Sequence, residues 1–179
     1  NNSDPAAQEW DFWNDIFATD ASIGAGETYL IVHPFANAAL LDSADATWTF
    51  LSNGDDAWGL IYSAGAAFGN GGDWVLIDVI GEAYGVDPGS GWDVAGVTNA
   101  TKDHTLRRKS PISFGNGGDW ASSAGTTAED SEWIVLDIDY ALNNDLEGYN
   151  SHDFTGLCAN NTEGCTDPFA INYDLNATV

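Results

Sequence analysis

The sequence has few basic residues, two cysteines and no methionine. Its 179 residues include four Lys and Arg against 28 Asp and Glu, a formal net charge of −24. Because this charge repels phosphate, it excludes nucleic acid and anionic membranes as general partners. No apolar run approaches the roughly 20 residues that cross a bilayer, so the sequence predicts no membrane insertion. Without methionine at its start, the chain is expected to be a processed product or a piece of a longer protein.

Aromatic and turn-forming residues are abundant. Hydrophobic residues make up 44% of the chain, which predicts one domain with a packed core. Asp outnumbers Glu 21 to 7 and is accompanied by 20 Gly, a composition that favours turns and oxygen-rich cation sites over helices. The predicted core is built on six tryptophans: Trp48, Trp58, Trp74, Trp92, Trp120 and Trp133.

Short runs rich in β-branched and aromatic residues predict a mostly β structure. They lie at 28–33, 47–51, 57–62, 74–80, 104–109 and 132–136. The Asn-Gly pair at Asn53 and Gly54 predicts a hairpin between the second and third runs. Helical turns are predicted at 37–42 and near 9–14. The strand spacing is typical of a β-sandwich.

The heptapeptide Phe-Gly-Asn-Gly-Gly-Asp-Trp occurs twice, at 68–74 and at 114–120, with flanks that do not match. We predict two similar glycine-rich loops, in each of which the Asp closes a turn and the Trp anchors the loop to the core. The alternative is a paired ligand or cation site formed by both loops.

Several blocks of the sequence resemble the bacterial lamin-tail domain. They lie at 26–34, 50–60, 87–109, 118–125 and 130–136, and the likeness spans roughly residues 10–153. The resemblance implies an all-β, immunoglobulin-like β-sandwich, assigned here to residues 1–156, in a secreted or cell-surface protein of Bacteroidetes-type bacteria. Two strands that usually begin this domain are absent. Either the parent protein supplies them, or a neighbour completes an open sheet edge.

Residues 157–179 are expected to form a linker and a short loop-rich appendage, because strand periodicity stops near Gly156. From Gly164 onward this segment resembles the start of a Gly-Cys-Thr-Asp-Pro type repeat of the same secreted proteins. Cys158 and Cys165 are close enough in sequence for a disulfide, and whether it forms stays open.

Calcium is the expected ligand of two acidic clusters, because it prefers hard oxygen donors. The first cluster follows the last clear strand and consists of Asp137, Asp139, Asn143, Asn144 and Asp145. The second lies in the appendage and consists of Asp167, Asn172, Asp174 and Asn176. Neither has the EF-hand pattern, and the alternative is that both are solvated acidic loops.

All four basic residues lie within eight positions of one another, at Lys102, Arg107, Arg108 and Lys109. This clustering predicts a binding site for an acidic polymer or for the carboxylates of a neighbouring subunit. The alternative is that these cations pair with the chain's own Asp and Glu.

No catalytic motif is recognised, since the three His lie far apart and no nucleophile elbow, Walker or dinucleotide fingerprint occurs. We therefore expect a non-catalytic binding or adhesion module, secreted or on a cell surface, whose partners are protein subunits or cell-surface glycans. The alternatives are a filament subunit that forms a homo-polymer through sheet edges, and the accessory domain of a secreted nuclease. Ser43 lies in an Asp-Ser-Ala sequence that resembles an O-glycosylation motif of secreted Bacteroidetes proteins.

Overall fold

The computed structural model describes residues 3–4, 9–17, 20–24, 27–65, 69–85, 87–110 and 112–146, together with Tyr149 and His152. These residues form mainly short strands with a few short helices. The strands are β1 (Ser3–Asp4), β2 (Glu9–Trp10), β3 (Ile31–Val32), β4 (Ala46–Thr47), β5 (Trp58–Tyr62), β6 (Val75–Ile80), β7 (His104–Arg108) and β8 (Trp133–Asp137). The helices are α1 (Ala38–Asp42), α2 (Trp120–Ala124) and α3 (Tyr140–Asn143). No helix in these ranges is long and apolar enough to cross a membrane.

The strands pair in two-stranded sheets. β1 with β2, β5 with β6, and β7 with β8 are antiparallel, whereas β3 with β4 is parallel. In the β5–β6 sheet, Gly59 lies opposite Val79, and the register shifts between Leu60 and Ile61. These small sheets are compatible with the predicted all-β class.

The predicted strands are present, but two of them are short. β5 to β8 fall on the predicted runs, while the first two runs contribute only β3 and β4. The predicted hairpin at Asn53 and Gly54 is wrong, since β4 pairs with β3 and not with β5. Gly54 has a φ of +110°, and its carbonyl accepts a hydrogen bond from the hydroxyl of Thr101 at 2.6 Å. The turn therefore docks on a distant loop instead of joining adjacent strands.

The two predicted helices had opposite outcomes. The helix at 37–42 is confirmed as α1, whose N-cap Asn37 accepts a hydrogen bond from the amide of Ala39 at 2.9 Å. The helix near 9–14 is wrong, because Glu9 and Trp10 form β2 and no helix follows up to Phe17. Both α2 and α3 were missed by sequence reasoning.

The core is centred on large aromatic residues and small residues that let them pack closely. Its buried members are Trp10, Ala57, Val79, Val94, Ala100, Trp120, Ala124 and Trp133. Of the six tryptophans predicted for the core, Trp120 and Trp133 are buried in it, and Trp74 and Trp92 pack against it while partly exposed. Trp48 and Trp58 lie outside this cluster. Trp10, only 4% exposed, takes a core position that sequence reasoning did not assign.

Candidate functional site

Each copy of the repeated heptapeptide forms a loop whose Asn side chain bonds the backbone of one strand residue. In the first loop (69–74), Asn70 accepts from the amide of Trp10 and donates to its carbonyl, both at 3.1 Å. In the second loop (114–120), Asn116 makes the same pair of bonds with Val79, at 3.0 and 2.8 Å. A side-chain amide offers the same donor and acceptor as a peptide group, so each Asn pairs with its strand as a neighbouring strand would.

The second loop is also joined to a half-buried ion pair. Asp78 accepts the backbone amide of Asn116 at 3.0 Å and two bonds from Arg108, at 2.6 and 3.1 Å. Arg108 lies 3.4 Å from Glu132 and 4.4 Å from the ring centroid of Trp133. Because the Arg108 side chain is only 13% exposed, its charge depends on these acids for compensation. The pair thus ties β6, β7 and the start of β8 together.

The four basic residues that were predicted to form one binding site lie in different environments. Arg108 follows the alternative, since it pairs with acids of this chain. Lys109 donates to two backbone carbonyls in the segment before β8. Arg107 lies 5.7 Å from the ring centroid of Tyr140, and Lys102 is exposed. Lys102 is therefore the member of this cluster most accessible to an acidic partner.

A groove of about 660 Å³ is lined by β5 and by the N-terminal segment, residues 9–17. We call it the aromatic groove, because its lining includes Trp10, Phe12, Trp13, Phe17 and Trp58. Aliphatic side chains of Ile31, Leu60 and Ile61 extend the apolar surface. Its volume lies within the range of roughly 300–1,000 Å³ that is typical of ligand sites.

The first loop supports the wall that the N-terminal segment contributes. Asn70 holds the backbone of Trp10, and Trp74 packs edge-on against Trp13, with ring centroids 5.2 Å apart. The indole of Trp10 lies on Gly59, where a Cβ atom would come within 3.0 Å of its ring carbons. A glycine is therefore needed at this position of β5 for Trp10 to pack as it does.

The groove exposes apolar groups and contains a buried donor without a partner. Phe12 is 58% exposed and Leu60 is 47% exposed. Within the described residues, the indole N–H of Trp10 has no hydrogen-bond acceptor, although the side chain is buried. An unpaired buried donor costs about 1–3 kcal/mol. Exposed apolar patches of this kind mark interaction surfaces.

Carboxylates surround the start of β5. Burial raises the pKa of Asp56 above its usual value, and the nearby negative charges of Asp55, Asp87 and Asp11 raise it further. Asp15 and Asp78 add carboxylates to the lining of the groove itself, of which Asp78 is paired with Arg108, and no Lys or Arg is among the described residues that line it. The electrostatics of this region therefore favour a cationic ligand.

The predicted calcium ligands that the structure describes are dispersed along the chain after β8. Asp137 ends β8, Asp139 precedes α3, and Asp145 follows α3 with a φ of +51°. In the described ranges, no three His, Cys, Asp or Glu side chains are grouped so as to hold a metal ion. Calcium binding by these residues stays a prediction.

Other predicted sites are accessible or lie beyond the described part of the chain. Ser43 is exposed at the C-terminal end of α1, where its glycosylation stays a prediction. Outside the described residues lie the appendage's predicted calcium ligands and disulfide: Asp167, Asn172, Asp174, Asn176, Cys158 and Cys165.

Sequence reasoning missed Asn70, Asn116 and Trp10. The repeated heptapeptide predicts structural roles for its Asp and Trp and none for its Asn. Asp119 of the second loop does not close a turn as predicted but accepts the amide of Ser122 at 3.1 Å and caps α2, whereas Trp120 is buried in the core as predicted. The available signal was that both copies keep the same Asn between two glycines.

No protein-family model, curated protein or solved structure matches the chain. The resemblance to the lamin-tail domain therefore stays a prediction, and the arrangement of the residues is the basis for a functional proposal.

Proposed function

We propose that this chain is a non-catalytic binding module of a secreted or cell-surface protein, and that the aromatic groove engages its partner. The observation that carries this proposal is the exposure of aromatic and aliphatic side chains along a groove of about 660 Å³. Desolvating aromatic side chains supplies most of the affinity at many interfaces.

The proposed architecture of the module is an immunoglobulin-like, lamin-tail-like β-sandwich. Two kinds of observation support it: the sequence blocks that resemble that domain, and the β-rich structure in which β5 to β8 form antiparallel pairs. The strongly acidic composition supports an extracellular location, because high surface charge keeps a protein soluble in salt.

The test compares two phenylalanines of equal exposure. Phe12 lines the groove and Phe114 lies outside it, and each is 58% exposed. The full chain is screened against a glycan array and a displayed peptide library, and the selected ligand is titrated by calorimetry into the wild type, Phe12→Ala and Phe114→Ala.

We expect Phe12→Ala to weaken binding by about 1–2 kcal/mol and Phe114→Ala to leave it unchanged. Equal affinities for the two variants would place the binding surface elsewhere. Failure to select any ligand from either collection would argue against a binding module.

A further inference from the structure

The two strands of the β5–β6 sheet have different outer edges. Asn116 occupies the amide and carbonyl of Val79, and the amide of Gly117 donates to the carbonyl of Ile77 at 2.9 Å. The second loop therefore covers the edge of β6 that faces away from β5. An edge paired in this way cannot accept another strand.

The opposite edge of this sheet is the outer edge of β5, and Gly59 lies on it. Gly59 faces Val79 in the ladder, and the backbone groups of Val79 point away from β5 toward Asn116. In an antiparallel pair, two residues that face each other both point inward or both point outward. The amide and carbonyl of Gly59 therefore point outward, and neither has a hydrogen-bond partner within the described part of the chain.

The aromatic groove adjoins this uncovered edge. Trp58, Gly59, Leu60 and Ile61 all line it, so one strand supplies both unpaired backbone groups and apolar side chains. Strand addition requires this combination, because main-chain hydrogen bonds give affinity and side-chain pockets give specificity.

The negative charge around the groove indicates which kind of segment would bind at the edge of β5. The chain carries a net charge of −24, and carboxylates lie both in the groove, at Asp15, and around Asp56, just before β5. A second copy of this chain would bring the same negative charge, whereas a basic segment would be attracted.

We propose that the outer edge of β5 accepts an extended segment of a partner protein, flanked by Lys or Arg, which adds as a strand and places apolar side chains in the aromatic groove. This inference rests on the proposed function of the groove. It specifies main-chain pairing and a basic partner, neither of which the binding-module proposal requires.

The first experiment selects binders to the full chain from two displayed libraries of segments of about nine residues. Both libraries have the same randomised centre, and they differ only in Lys or Glu flanks. We expect binders from the Lys library and none from the Glu library. Equal recovery from both, or none from the Lys library, would overturn the proposal.

The second experiment resynthesises a selected segment with N-methyl groups on alternate amides, in both registers. One register removes the amides that would pair with β5, and we expect it to bind at least about tenfold more weakly than the other. Equal affinity in the two registers would overturn strand addition. If Phe12→Ala still weakened both peptides, the groove would remain the binding site, so the two proposals fail separately.

The third experiment follows amide hydrogen exchange in the wild type with and without the selected peptide. Gly59 is expected to become protected on binding, while Val79, its partner in the ladder, serves as the internal control because Asn116 already bonds its amide. Unchanged exchange at Gly59 would contradict the proposal.

Sedimentation velocity of the chain alone tests whether a second copy occupies the edge. Self-association that protects Gly59 would assign the edge to a second copy and overturn the basic partner.

Discussion

The two copies of Phe-Gly-Asn-Gly-Gly-Asp-Trp make the same hydrogen bonds in two different surroundings. In the first loop, Asn70 holds Trp10 beside the groove, and in the second, Asn116 holds Val79 in the core. Both strand residues are buried, at 4% and 1% exposure. The heptapeptide thus forms a loop whose Asn bonds the backbone of a strand, and the position of that strand in the fold differs between the two copies.

The surroundings differ most at the last residue of each copy. Trp120 is 4% exposed and begins α2, while Trp74 is half-buried and donates its indole N–H to the carbonyl of Gly69 within its own loop at 3.0 Å. The position after Phe differs as well. A Cβ on Gly115 would collide with the carbonyl of Ile77, whereas one on Gly69 would meet open space. The second loop is therefore part of the core, and the first loop supports a surface.

The largest contrast is expected from removing the tryptophans. Trp120→Ala should lower the free energy of unfolding by about 3–5 kcal/mol, because it leaves a cavity in the core. Trp74→Ala should cost about 1–2 kcal/mol, since the side chain is half-exposed. Urea unfolding monitored by circular dichroism measures both. Equal losses would mean that the two loops are equally part of the core.

A smaller contrast is expected from the two asparagines. Asn116→Ala should cost about 2–3 kcal/mol, because it leaves the buried carbonyl of Val79 unpaired and removes one of the two acceptors of the Val79 amide, the other being Asp78 at 3.0 Å. Asn70→Ala should cost about 1 kcal/mol in global stability, because Trp10 is buried but belongs to a two-residue strand in the N-terminal segment, which can open without the rest of the fold.

In limited proteolysis, Asn70→Ala should have the larger effect, although Asn116→Ala is expected to lose more global stability. Asn70→Ala is expected to speed cleavage within residues 9–17, and Asn116→Ala is expected to leave cleavage there slow under conditions where the protein stays folded. Similar cleavage in both variants would mean that Asn70 does not hold the N-terminal segment.

The smallest contrast concerns how the stability of the two loops changes at acidic pH. Hydrogen bonds from Ser122 lower the pKa of Asp119 below its usual value of 3.8. A carboxyl group whose pKa is lowered by folding stabilises the protein above the pKa of the unfolded state, and this contribution is lost as the pH falls through the folded-state pKa. Asp119→Asn should therefore reduce Tm at pH 6 and flatten its fall below about pH 4.

The matched variant is Asp73→Asn in the first loop, where the Asp73 side chain has no hydrogen bond within the described residues. It should leave Tm at pH 6 unchanged, because no side-chain hydrogen bond is lost. Some acid dependence is expected to persist in every variant, because hydrogen bonds from Thr127 and Thr126 lower the pKa of Asp130 to about 2. Parallel curves for Asp119→Asn and the wild type would contradict a capping contribution from Asp119.

Local sequence was sufficient for the strands and helix that depend on near neighbours. The β-branched and aromatic runs marked β5 to β8, and α1 was marked by its composition. The pairing of β3 with β4 was not predictable in this way, because strand pairing depends on residues distant in sequence. The core position of Trp10 was not predictable in this way either, because the Asn70 side chain that bonds its backbone is 60 positions away.

The candidate site was less predictable than the fold. Charge clustering predicts a role for Arg108 but not its partners, because Asp78 lies on β6 and Glu132 directly precedes β8. The aromatic groove has no local signature, since it is assembled from the N-terminal segment, β3, β5 and β6. The repeated Asn was visible in the sequence, but nothing local distinguishes an amide that turns its own loop from one that pairs with a distant strand.

Amide hydrogen exchange of the unmodified protein tests the central claim most directly, by comparing the amides of Val79, Trp10 and Gly59. We predict slowest exchange at Val79, which opens only with the core, intermediate exchange at Trp10, and fast exchange at the uncovered edge at Gly59. Equal protection of Trp10 and Val79 would contradict the different roles of the two loops. Slow exchange at Gly59 would contradict the open edge of β5.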